Sequence, residues 1–92
     1  RLVNILGREM EVTPRGPMLF VENNDVPGVI GKVGTLLGDL NINIAAYLLN
    51  RSGENGKAFA VIRLDKPLDE DALNTLAGIN ELGSVKQIQV LH

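Results

Sequence analysis

Ninety-two residues, nine Lys+Arg against eleven Asp+Glu, 45% hydrophobic and 3% aromatic, define a chain of net charge −2. That length holds one core, the charge balance argues against a nucleic-acid or anionic-membrane surface, and so few aromatics argue against a base-stacking sheet. The absence of cysteine excludes a disulfide frame, a thiolate metal site and a cysteine nucleophile. No uncharged apolar run approaches a membrane span and no signal-peptide pattern is visible, which fits a cytoplasmic protein. The chain opens at Arg1 rather than Met and reads as a piece of something longer.

Leu2–Leu6 and Glu9–Val12 flank Gly7-Arg8, and Gly in the first central position of a two-residue loop predicts a type II′ hairpin with Ile5 opposite Met10 and Val3 opposite Val12. A lone ribbon is marginal in water, so it must lean on this domain or on a neighbour. Thr13-Pro14-Arg15-Gly16-Pro17 reads as a linker, because two prolines and a glycine break any continuing element. Met18–Glu22 is apolar on both faces, as a central strand is. From Val29 to Leu40 the residues Val29, Ile30, Val33, Leu36, Leu37 and Leu40 form one helical stripe, with Lys32, Thr35 and Asp39 on the wet side. Gly31, Gly34 and Gly38 form a third stripe. Each interior glycine costs about 1 kcal/mol of helix propensity against alanine, so another backbone is expected to pack closely there, either the domain's own sheet or the helix of a second copy.

Ile42–Asn50 alternates Ile42, Ile44, Ala46, Leu48 against Asn43, Ala45, Tyr47, Leu49. Neither face is polar, which points to a partner over the second. Arg51–Gly56 is a turn cluster with an exposed tip, leading into a strand at Lys57–Leu64. Pro67 and Asp69 announce a second helix, with Asp69, Glu70 and Asp71 complementing its dipole and Leu68, Ala72, Leu73, Leu76 and Ile79 as its apolar face. Gly78 and Gly83 are candidates for its end, and Ser84–Leu91 is the last strand. After the ribbon the order is βαββαβ, an α+β ferredoxin-like arrangement with an antiparallel sheet and both helices on one face. Such a fold does not name a function.

The chemistry concentrates in Asn23-Asn24-Asp25-Val26-Pro27-Gly28, where a strand runs into a helix. Pro is accommodated at a first helical position, Gly28 lets a ligand approach the backbone, and the free N–H groups of Gly28, Val29 and Ile30 favour an anion. Asp25 stands beside them with the opposite charge. Amide donors next to a carboxylate suit a zwitterion, and the expectation is an amino-acid sensing site. The plainer readings are that Asp25 only caps the helix and that Asn43 is an ordinary edge-strand amide, although its donor and acceptor suit a ligand as well. Asp69, Glu70 and Asp71 read as a solvated first turn rather than a metal site, His92 as a loose end, and Ser52 as a loop serine without a general base. No nucleophile–base constellation and no dinucleotide fingerprint is present. A small phosphatase on this fold would want an Arg-bearing anion loop, and this loop carries Asp25.

The run Asn24 to Gly38, followed by Ile42-Asn43-Ile44-Ala45, resembles the signature of the ACT domain family, in particular the carboxy-terminal regulatory ACT domains of D-3-phosphoglycerate dehydrogenases. The resemblance covers residues 17–92, and residues 1–16 resemble the tail of the domain that precedes the ACT domain in longer versions of the enzyme. It implies feedback control by L-serine bound between two ACT domains of a homodimer or larger homo-oligomer. The fragment itself would be regulatory, with no cofactor of its own and NAD in the catalytic domain of the parent. The effector contacts of the family fall on Asn23, Asp25 and Asn43. Asn43 matches the pattern, Asp25 is its acidic variant, and Asn23 departs from the His or Tyr familiar there. The resemblance assigns Asn23, Asp25 and the Gly28–Ile30 amides to one copy and Asn43 to the other. A ligand-free oligomerisation module and the ACT domain of an L-serine dehydratase subunit are the alternatives.

Overall fold

In the computed structural model, residues 2–5, 8–11, 16–51 and 56–90 are described, the first two stretches and residues 89–90 by backbone alone. Strands β1 (Leu2–Ile5) and β2 (Arg8–Glu11) form a separate two-stranded sheet. Its register pairs Val3 with Met10 and Ile5 with Arg8, two residues away from the expected pairing. Arg8 joins the ladder instead of the turn, and because side chains alternate with period two, a shift of two leaves the faces unchanged. The expected turn residue Gly7, the linker residues Thr13–Arg15, Val12, the hairpin-tip residues 52–55, and Leu91 and His92 lie outside the described residues.

The main sheet orders its strands β4-β5-β3-β6, all antiparallel, from β3 (Gly16–Asn24), β4 (Ile44–Asn50), β5 (Lys57–Leu64) and β6 (Leu82–Val90). The central strand takes in Gly16 and Pro17, read above as linker. Leu19 and Val21 of β3 stand opposite Ile62 and Ala60 of β5 and share their face. On that face lie α1 (Val29–Asp39) and α2 (Glu70–Ala77). Val29, Val33 and Leu37 from α1 and Leu68, Ala72 and Leu76 from or beside α2 close the core with Leu64 and Leu82. Burial of each large aliphatic contributes about 1.5–3 kcal/mol. Met18, Phe20 and Val61 fall on the opposite face and are also buried, so both faces of β3 need apolar side chains.

The helix α1 buries a narrower stripe than its sequence implied. Val29, Val33 and Leu37 recur every four residues and are covered, whereas Ile30 and Leu40 are 51% and 37% exposed. Ile30 stands about 100° round from Val29, off the line that meets the sheet, and Leu40 is the C-cap, beyond the last helical residue. The helix ends in a Schellman arrangement: Asn41 at φ 60° donates to the Gly38 carbonyl at 3.0 Å and Ile42 to the Leu37 carbonyl at 2.9 Å. Leu37 and Ile42 then meet in the core.

In β4 a bulge at Ala45 breaks the expected alternation, since Ile44 pairs with Leu64 while Ala46 pairs with Arg63. The extra residue moves Tyr47 onto the side of Ile44, and both pack against the core. Asp69 caps α2, its carboxylate accepting from the Ala72 amide at 2.8 Å. The helix stops at Gly78, and Gly83 belongs to β6. Lys32 of α1 donates to Glu81, and that hydrogen bond holds the Glu81 carboxyl below its ordinary pKa.

The approach to α2 is fixed by Gln87 of β6, whose Oε1 accepts from the Leu68 amide at 2.7 Å while its Nε2 donates to the Leu68 carbonyl at 3.0 Å. Leu68 is buried, so Gln87→Leu strands both backbone groups. The expected cost is about 1–3 kcal/mol, read as a lower urea midpoint with an unchanged m-value.

Candidate functional site

Three backbone hydrogen bonds hold the segment between β3 and α1. Asn24 N–H donates to the Glu81 carbonyl at 2.8 Å, Asp25 N–H to the Gly56 carbonyl at 2.7 Å, and Val26 N–H to the Asn24 carbonyl at 2.9 Å. The first anchors the segment to the start of β6 and the second to the β4–β5 hairpin. Lys57 Nζ adds a bond to Asn24 Oδ1 at 2.8 Å. Within the β3–β6 ladder the register shifts between Glu22 and Asn23, with Gly83 as the extra residue. Such bulges re-aim a side chain where regular pairing stops.

The side chain at that point is Asn23, 4% exposed and the one buried polar residue among those described. Its Nδ2 donates to the Asn24 carbonyl at 2.8 Å, while its Oδ1 is buried and has no partner among the described residues. An unmet buried acceptor costs about 1–3 kcal/mol. It marks a place where a donor is wanted.

Pro27 is not the first helical residue. It sits in a turn before Gly28, which is the N-cap at φ 90°, a left-handed conformation that glycine adopts without a Cβ penalty. No side chain caps the helix, so the capping role for Asp25 is not realised. Its carboxylate instead accepts from Arg51 Nε, at 3.1 Å to Oδ1 and 3.2 Å to Oδ2. The pair is partly open to solvent and contributes at most about 1 kcal/mol. The amides at the head of α1 therefore face an open space rather than a capping oxygen. That space is a cavity of about 350 Å³, lined on one side by Asn23, Asp25 and Gly28–Gly31 and on the other by Leu49 and Arg51. Its size is that of a small-molecule pocket.

Residues 17–81 match the family model for the ACT domain. The chain belongs to the ACT domain family. It is 33% identical over 90 residues to a D-3-phosphoglycerate dehydrogenase of Bacillus subtilis, with 98% of this chain and 17% of the relative covered. It is 37% identical over 89 residues to the enzyme of that name from Synechocystis, with 94% and 16% covered. The chain thus spans about one-sixth of the length of these relatives, and as an ACT domain it is regulatory, homologous to the one they carry. Among solved structures it is similar to the ACT domain from GTP pyrophosphokinase of Chlorobium tepidum, with TM-score 0.60, 14% identity and coverage of 83% of this chain and 100% of that one. It is similar also to a homoserine dehydrogenase from Thiobacillus denitrificans, with TM-score 0.66, 17% identity and coverage of 84% and 17%. At such identities the likeness is one of fold.

Of the residues singled out in the sequence, this ACT domain brings Asn23, Asp25, Gly28, Val29 and Ile30 to one cavity. Asn43 does not join them within the chain. It is exposed, and its amide donates to Asp65 Oδ1 at 3.0 Å while its carbonyl accepts from the Asp65 amide at 3.0 Å. It precedes β4, whereas Arg51 follows it, so the strand's roughly 20 Å length separates Asn43 from the cavity. Arg51 and Leu49 were not foreseen as lining residues. They meet the loop only through the pairing of distant strands.

Gly28 and Gly31 make a matched pair for testing the entrance. A Cβ on either has no neighbour within 4 Å among the described residues, but of the two Gly28 alone has positive φ. Gly28→Ala is expected to destabilise the fold by about 1–2 kcal/mol, and Gly31→Ala to stabilise it by about 0.5–1 kcal/mol through helix propensity. Thermal or urea unfolding of the two variants reads the opposite signs.

Proposed function

We propose that this ACT domain senses an α-amino acid, with L-serine as the effector, and that it transmits inhibition to an NAD-dependent D-3-phosphoglycerate dehydrogenase of which it is a part. In this reading residues 1–16 are the tail of the preceding domain and 17–92 the regulatory unit. The observation that carries the reading is the buried, unpartnered Asn23 Oδ1 at a cavity that also presents Asp25 and the uncapped head of α1. An ammonium group supplies the donor that Asn23 lacks and the charge that Asp25 prefers. A carboxylate suits the N–H groups of the first helical turn. Relatives named for an enzyme of phosphoglycerate oxidation support serine over other amino acids.

The site is completed, in this proposal, by a second copy. β4 is an edge strand that exposes Leu48 and Leu49, and an open edge is a template for another strand. A two-fold contact is self-complementary. Antiparallel pairing of β4 with its own copy sets the start of one strand against the end of the other, which carries Asn43 of the second copy toward the cavity of the first. Gly31, Gly34 and Gly38 support the same arrangement, because a Cβ at any of them meets nothing within 4 Å among the described residues. Tight packing on the domain's own sheet is therefore not their reason, and a helix of the second copy is the remaining expectation. Occupancy of a site shared by two copies favours the geometry that closes it, and coupling of this kind typically amounts to about 1–3 kcal/mol.

Calorimetric titration of L-serine tests the proposal. Binding is expected in the millimolar range or tighter, with Asp25→Ala weakening it by about tenfold or more, the loss of one charged hydrogen bond. No heat at millimolar serine, or unchanged affinity in Asp25→Ala, contradicts it.

A further inference from the structure

The cavity at the head of α1 has a second wall that the strand-to-helix loop does not supply. Leu49 and Arg51, at the end of β4, stand across from Gly28–Gly31. Arg51 Nε lies 3.1 and 3.2 Å from the two oxygens of Asp25, so the single chain already pairs the site's anion with a cation of its own. The side chain of Arg51 is 68% exposed and that of Asp25 26%. The guanidinium is thus the more exposed partner of the two. Asp25 is held independently of it by the backbone bond to Gly56 at 2.7 Å.

From these positions we infer that Arg51 is the residue that recognises the effector's carboxylate, exchanging Asp25 for it on binding. The inference rests on the amino-acid-sensing reading above and deepens it. Before binding the site holds one internal ion pair. Afterwards the ammonium of the effector faces Asp25 and the buried Asn23 Oδ1, while its carboxylate faces Arg51 and the amides of the first helical turn. No charge is left without an opposite neighbour at either stage. A neutral amine or a simple carboxylic acid satisfies only half of this arrangement, and the zwitterion is selected by that mismatch. Arginine suits the role through its planar fork, which meets both carboxylate oxygens at once; lysine offers a point charge. Leu49 beside it keeps that side of the cavity apolar, which strengthens the pairing.

Two ligands separate Arg51's role from general damage to the site. Serinol keeps the ammonium and hydroxyl groups of serine and lacks the carboxylate. Titrated into the 92-residue chain, L-serine is expected to bind about tenfold or more tightly than serinol, the worth of one charged hydrogen bond. In Arg51→Gln that preference shrinks toward unity because serine weakens and serinol does not; Arg51→Lys recovers part of it. In Asp25→Asn both ligands weaken together. Serine affinity in Arg51→Gln equal to or above that of the unaltered chain, or a preference for serine that survives the substitution, overturns the role of Arg51 and leaves the sensing reading intact. Silence of the unaltered chain toward both ligands overturns the sensing reading, and the inference falls with it.

Discussion

Where β3 runs out, the amides of Asn24 and Asp25 bond to Glu81 and Gly56, two carbonyls from opposite sides of the strand. Those bonds fasten the end of the strand on both sides, and the chain then enters the helix through Gly28 in a left-handed conformation. A helix begun this way has no side chain over its first turn. The orientation of Asn23, the openness of the cavity and the approach of Arg51 all follow from the pinned loop. Buried polar atoms are normally paired, and leaving Asn23 Oδ1 unpaired at such a place is a local cost that a ligand can remove.

The same anchoring links the site to distant parts of the fold. Asp25 touches the β4–β5 hairpin twice, through its own amide to Gly56 and through its carboxylate to Arg51. The Asn24 amide and the Lys32–Glu81 pair tie the loop and α1 to the residues just before β6. The Lys32–Glu81 pair carries a pH signature. Glu81 has a lowered pKa in the fold, so its stabilising contribution is present above the ordinary carboxylate range and is lost as pH falls through the depressed value. In the proposed dimer, the loop and the end of β4 meet at the edge strand, so the proposed effector touches the element on which the copies associate. Coupling by this route needs no long pathway, only two arrangements of an interface with different affinity for the ligand.

Much of the architecture was legible in the sequence because long periodic segments and turn residues agree. The βαββαβ order, the full extent of β5 and a second helix announced by Asp69 followed from apolar spacing and turn residues, although Asp69 caps that helix rather than standing in its first turn. What escaped depends on contacts between distant residues. The bulge at Ala45 is one extra residue in a ladder, and no periodicity reveals where a partner strand skips a position. Ile30 and Leu40 are apolar at helical spacing, yet Ile30 falls outside the line through Val29, Val33 and Leu37, and Leu40 lies just past the helix end. Asn41 carried a usable signal, an asparagine just past a helical run, as the left-handed helix ending requires. Asn23, Asp25 and Gly28 stood out as neighbours in sequence, whereas Arg51 reaches Asp25 from 26 positions away and left no local trace.

The central claim is that the uncapped head of α1, with Asn23 and Asp25 beside it, is where a small zwitterion binds. Amide NMR spectra recorded during titration with L-serine test it most directly, since they report position as well as affinity. The account predicts saturable shifts concentrated at Gly28–Gly31, the side-chain amide of Asn23 and, once copies associate, Asn43. Spectra unmoved by millimolar serine, or shifts confined to residues away from that loop, would contradict it.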